Sequence, residues 1–125
     1  DFSAAIEAMD IFCLPSLKQG LGSIMLEAMA RGRPVIATKT GGVYSVVKEQ
    51  QKGLIVPPGD IENLSQRIID LLTRPERARE LGEAGREHVR KEYSVTRMLE
   101  QTAKLYRKLL EDSETRQKQI ATTAK

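Results

Sequence analysis

Glu27 is the residue of this chain whose neighbours ask for chemistry. It stands inside KQGLGSIMLEAMARGRPVIAT, residues 18–38, between Ile24, Met25 and Leu26 on one side and Ala28, Met29 and Ala30 on the other. A carboxylate in such a run needs hydrogen-bond donors, and the hydroxyls of a ribose would supply two. A capping box wants Glu or Gln three residues after the cap; counted from Ser23, that place is Leu26. A surface salt bridge has little exposed face to occupy among these apolar side chains. On chemistry alone a nucleotide ligand and a buried structural glutamate both stay open.

Gly20 and Gly22 frame Leu21 just before this segment. They remove two Cβ atoms where a ligand could lie against the backbone. A helix opening at Ser23 would turn its first free N–H groups toward that ligand and favour an anion such as a phosphate. Other chemistry-bearing residues are less informative. Ser16 has no general base in reach by sequence. His88, in GREHVRKEY, has no acidic or cysteine partner at metal-ligand spacing and reads as a helix-surface residue. Cys13 has no second cysteine to pair with and reads as a buried thiol in IFCLP.

For these residues to meet, the elements around them must form a parallel sheet. IFCLP (11–15), PVIAT (34–38) and GLIVPP (53–58) are continuous apolar runs, as in strands covered on both faces. Helical stretches alternate with them. SAAIEAMD comes first, with Ser3 as a candidate N-cap; residues 23–31 follow and stop at Gly32; VYSVVKEQ begins after Gly41-Gly42. Pro57-Pro58-Gly59 turns the chain and Asp60 can cap a helix that carries Ile61, Leu64, Ile68 and Leu71 or Leu72 on one face. The order α-β-α-β-α-β-α is that of parallel strands joined by crossover helices. In such sheets ligands sit beyond the carboxyl ends of the strands.

After Arg74-Pro75 comes a more polar helix to about Glu92, anchored by Leu81, Val89 and Tyr93. Ser94 can cap a last helix with Val95, Met98, Leu99, Leu105, Tyr106 and Leu109 on one stripe. From Asp112 the apolar period is lost, which predicts a frayed or disordered tail over 112–125. The expected organisation is a half-domain over 1–73, helices packing on it over 74–111, and that tail. Three parallel strands leave the first with an open edge, an aggregation liability that something must cover, most simply a second copy of the chain.

The 125 residues are 40% hydrophobic and 30% charged, which suits one domain or part of a larger one. No apolar stretch approaches the roughly 20 residues of a membrane span, and no basic-then-apolar leader is seen, so a cytoplasmic location is expected. A net charge of +3, interspersed and with few aromatics, argues against nucleic acid. Arg86, Arg90, Lys91, Lys104, Arg107 and Lys108 form a solvated basic face; weak peripheral attraction to an anionic membrane is the sharper reading, opposed by Glu83, Glu87, Glu92 and Glu100.

The stretch from Asp10 to Leu72 resembles the C-terminal Rossmann-like domain of GT-B fold, retaining glycosyltransferases of family 4. That resemblance extends over residues 1 to about 110. It is carried by Pro15-Ser16, Gly20, Gly22, Glu27-Ala28-Met29-Ala30, Gly32, Pro34-Val35, Gly41-Gly42, Gly53, Pro57-Pro58 and Asp60. The fold it implies is a three-layer α/β Rossmann-like parallel sheet, in part, with C-terminal helices: half of a GT-B C-terminal domain.

By that resemblance the chain binds a nucleotide diphosphate sugar, with no cofactor and no metal. Glu27 is then the second acid of the family's E-x7-E motif and holds the donor ribose. Gln19, Gly20, Leu21, Gly22 and Ser23 line the diphosphate and sugar region, and Gly41 and Gly42 form the pocket wall. Two positions depart from the family. Gln19 stands where the first acid of the motif belongs, and Ser45 where an acid usually follows the Gly-Gly pair. Glutamine keeps an acceptor but cannot support positive charge at the anomeric carbon. The family takes its acceptor site, and the basic residues that hold the donor phosphates, from segments with no counterpart in these residues. The chain alone is therefore expected to be inactive, with no confident catalytic residue of its own. The alternative is a non-catalytic binding or assembly module that keeps the fold.

Overall fold

The computed structural model describes residues 2–18, 20–47 and 51–123; Gln19 therefore lies outside the described residues, as do Lys48, Glu49 and Gln50 of the third expected helix. Three parallel strands, β1 (Phe12–Leu14), β2 (Val35–Thr38) and β3 (Leu54–Val56), lie side by side in chain order. Phe12 pairs with Val35 and Ile36 with Leu54, so β2 is the middle strand. The helices are α1 (Phe2–Glu7), α2 (Ser23–Ala30), α3 (Val43–Val46), α4 (Ile61–Thr73), α5 (Pro75–Glu92) and α6 (Val95–Thr123).

The continuous apolar runs have the predicted cause. Phe12, Val35 and Ala37 pack with Ile6 of α1, Met25, Ala28 and Met29 of α2, and Val43 and Val46 of α3. The alternate residues Ile36, Leu54 and Val56 pack with Leu71 of α4 and Leu81 of α5. Successive side chains point to opposite faces, and both faces are covered. Each large side chain so buried contributes about 1.5–3 kcal/mol by leaving water.

The helix ends follow local chemistry. α2 closes in a Schellman turn, with Gly32 at φ 72°, its N–H bonded to Met29 O, and Arg33 N–H bonded to Ala28 O. Asp60 caps α4 by accepting from Asn63 N–H at 2.9 Å. Pro75 opens α5, where its missing N–H costs nothing.

Several expectations need correction. Ser3 lies inside α1 rather than at its cap. Among the described residues α3 is a four-residue turn of helix. His88 is half-buried rather than a surface residue: its Nε2 lies 3.0 Å from Val46 O, tying α5 to the end of α3. Cys13 is half-buried, and burial pushes its thiol above the ordinary range. The boundary between compact units falls at the end of α5 rather than at residue 73. α5 belongs with the sheet in one compact unit, Asp1–Lys91, because Gly82 and Gly85 let its backbone come close to Gly32 and Lys52.

The second unit is Glu92–Lys125. Here the tail predicted to be frayed or disordered is helix as far as Thr123: α6 runs for 29 residues, capped by Ser94 Oγ on Arg97 N–H. Loss of apolar period did not end it, because strong helix formers fill the segment and no Gly or Pro follows Gly85. Its apolar stripe, from Val95 to Ile120, is exposed, each large member by 54% or more.

Candidate functional site

The carboxyl ends of the three strands open into three loops. β1 leads into Pro15-Ser16-Leu17-Lys18, β2 into Lys39-Thr40-Gly41-Gly42, and β3 into Pro57-Pro58-Gly59. Thr38, the one buried polar side chain among the described core residues, joins the first two. Its hydroxyl donates toward the carbonyls of Leu14 and Ser16. The loop after β1 is thus fixed by the end of β2, a contact that sequence reasoning missed. Thr38 ending an apolar strand was the available signal.

The two glycine pairs meet. A Cβ on Gly42 would lie 2.9 Å from Leu21 Cα and 3.1 Å from Gly20 O, so the Gly41-Gly42 turn lies directly on the Gly20-Leu21 backbone. Gly22 is needed for a second reason. It takes the left-handed conformation, φ 72° and ψ 53°, that turns the chain into α2. Among the described residues beyond its chain neighbours, nothing stands within 4 Å of the Cβ position of Gly20.

α2 therefore starts at the carboxyl edge of the sheet with no side-chain cap. The N–H groups of Ser23 and Ile24, at its very start, have no partner of the i→i−4 kind within the helix. They carry the positive end of the helix dipole. Ser23 and Leu21 are exposed beside them. Lys39 places its ammonium 4.7 Å from the centre of the Tyr44 ring, which stiffens the second loop. A cleft of about 160 Å³ opens next to these loops, lined in part by Pro15, Leu17, Thr38 and Asp60. A larger one of about 440 Å³, near Asp10, Gly32 and Arg33, lies at the amino ends of β1 and β2, away from the helix start. The topological rule for parallel sheets favours the former side.

Glu27 sits four residues into α2 from Ser23 and on the same face. It is not buried: its side chain is 38% exposed, and Arg31 Nη1 lies 3.0 Å from its Oε1. Ser3 Oγ donates to the same oxygen at 3.1 Å. The ion pair set aside on sequence grounds is thus present, and the buried structural glutamate is not. The structure brings together Gly20, Leu21, Gly22, Ser23, Gly41 and Gly42, with Glu27 one turn further along α2. Ser45 is exposed next to Tyr44, with no carboxylate in its place.

Among the described residues, no cluster of three or more His, Cys, Asp or Glu could hold a metal ion, and no helix is long and apolar enough to cross a membrane. Of the basic residues on α5, Arg86 and Arg90 are ion-paired to Glu83 and Glu87.

Residues 1–88 match the family model for glycosyl transferases group 1. The chain belongs to that family. It is 38% identical over 110 residues to alpha-maltose-1-phosphate synthase of Mycolicibacterium smegmatis, a match covering 83% of this chain and 28% of that enzyme. Among solved structures it is similar to sucrose-phosphate synthase from Thermosynechococcus elongatus, with 36% identity and a TM-score of 0.78 over 86% of this chain and 27% of that one. Anabaena Alr3699/HepE, solved in complex with UDP, shares the fold at 22% identity and a TM-score of 0.78, over 83% of this chain and 29% of that one. The chain thus spans less than a third of each of these three proteins, and the sheet is part of a GT-B domain.

Proposed function

We propose that this chain is the donor-binding part of a retaining glycosyltransferase that moves a sugar from a nucleotide diphosphate sugar to an acceptor. The observation that carries this reading is the seating of the Gly41-Gly42 turn on the Gly20-Leu21 backbone at an uncapped helix start. That arrangement offers backbone N–H groups and open space to a diphosphate, without a metal ion being needed. Glu27 accepts from the ribose hydroxyls. Gln19, Gly20, Leu21, Gly22 and Ser23 line the diphosphate and sugar, and Gly41 and Gly42 close the wall. UDP in HepE supports a sugar-nucleotide donor. Catalysis at such a site is positioning plus electrostatic support of the departing diphosphate. The acceptor is held elsewhere in the intact protein.

Gln19 and Ser45 favour a second reading, a non-catalytic module that binds the nucleotide without transferring sugar. Donor hydrolysis by the intact protein separates the two, using UDP-, GDP- and ADP-glucose and Gln19→Glu as the comparison. Turnover by the unaltered protein is the expected result. Turnover only after Gln19→Glu would establish the second reading, and absence of nucleotide binding altogether would overturn both.

A further inference from the structure

Both protein donors to Glu27 land on one of its two oxygens. Ser3 Oγ and Arg31 Nη1 reach Oε1 at 3.1 Å and 3.0 Å. Arg31 Nη1 also lies 3.4 Å from the Glu27 carbonyl, so the guanidinium grips both ends of the same residue. No donor among the described residues reaches Oε2. We propose that Ser3 and Arg31 are positioning residues that clamp Oε1 so that Oε2 is presented to the 2′- and 3′-hydroxyls of the donor ribose; this rests on the reading of Glu27 given above.

The physical case is one of rotamers. A glutamate side chain has three rotatable bonds and, at 38% exposure, would sample many of its states. Two donors from different elements, a hydroxyl on α1 and a guanidinium at the end of α2, define the plane of the carboxylate. Each element is itself fixed. α1 is pinned by fully buried Ile6, and Arg31 is the C-cap of α2, where the Schellman turn sets its backbone. A charge-assisted bond from a guanidinium holds direction better than a neutral one. Oε2 keeps its lone pairs for two ribose hydroxyls.

Glu7 extends the chain of contacts weakly. Its Oε1 lies 3.4 Å from Arg31 Nε, within ion-pair range, yet Nε makes no hydrogen bond and Glu7 is 63% exposed. A pair of this kind adds little. The preference for a ribonucleotide is therefore set at the α1–α2 contact.

The test is performed on the intact protein with whichever of UDP, GDP or ADP binds best and its 2′,3′-dideoxy form. The unaltered protein is expected to prefer the ribonucleotide by about tenfold or more, and Glu27→Ala to lose the preference. Arg31→Ala and Ser3→Ala should each cut it by about three- to tenfold, through weaker ribonucleotide binding with dideoxy affinity unchanged. Arg31→Lys should restore part of it, and Glu7→Gln should leave it within about twofold. A full preference in both Arg31→Ala and Ser3→Ala, with Glu27→Ala still losing it, overturns the clamp alone. Equal weakening toward both nucleotides does the same, since that is what a merely structural role would give. No preference in the unaltered protein overturns the reading of Glu27 and the clamp together.

Discussion

Gly42 has an ordinary backbone conformation, φ −68°, so its lack of a side chain answers to space alone. The atoms that a Cβ would meet are backbone, at Leu21 and Gly20, and cannot swing aside. Gly42→Ala should therefore push the two loops apart. A stability loss of about 1–3 kcal/mol is expected, read as a lower midpoint in denaturant. Nucleotide affinity of the intact protein should fall by about tenfold, read by calorimetry. Stability lost at unchanged affinity would mean that the two loops do not share a ligand. At this scale the sequence was half legible. Gly20, Gly22 and Glu27 could be named from their neighbours, because backbone freedom and an isolated charge leave a local mark, whereas Gly41 and Gly42 were named only through the family resemblance. The partners of Glu27 could not: Ser3 lies 24 residues away, and only tertiary packing brings its hydroxyl to α2. The weight given to apolar neighbours was also misleading, since a helix face next to an apolar one can stay half open.

Elements were more legible than contacts between them. Asp60 and Gly32 act as read, because caps are local. That the helix after residue 74 packs on the sheet was expected; what was missed is the part played by Gly82 and Gly85, three apart on a polar helix, in letting its backbone approach. A Cβ on Gly82 would fall on the Gly32 carbonyl, and one on Gly85 would lie 2.9 Å from Lys52 O. These two kinds of feature should separate in one experiment. Asp60→Ala should cost about 1 kcal/mol by removing a cap. Gly82→Ala raises helix propensity, yet it should cost more than the cap, about 2 kcal/mol or above, because α5 must move off Gly32. Urea unfolding followed by circular dichroism would rank them. Gly82→Ala as the milder change would show that α5 yields easily.

At the scale of the whole molecule, the function proposed above gives the chain one side of a reaction. With less than a third of its relatives' length, it is expected to transfer no sugar by itself from any of the three donors named above. Transfer by the isolated 125 residues would show that the acceptor site lies within them. Among the described residues β1 pairs on one side only, with β2, so the isolated chain should also pair edge to edge. Light scattering would then give about twice the monomer mass, and a monomer at all concentrations would show that the edge is protected.

The strands lie in space in the order in which they occur along the chain. On a ribosome, where the amino end emerges first, each strand finds its neighbour already made. β2 docks on β1, β3 docks on β2, and none has to be threaded between two strands that have already joined. The sheet can be laid down in step with translation, one crossover helix at a time. Gly42 follows the Gly20 loop along the chain, so the contact between the two loops needs no residue beyond β2 and the turn that follows it.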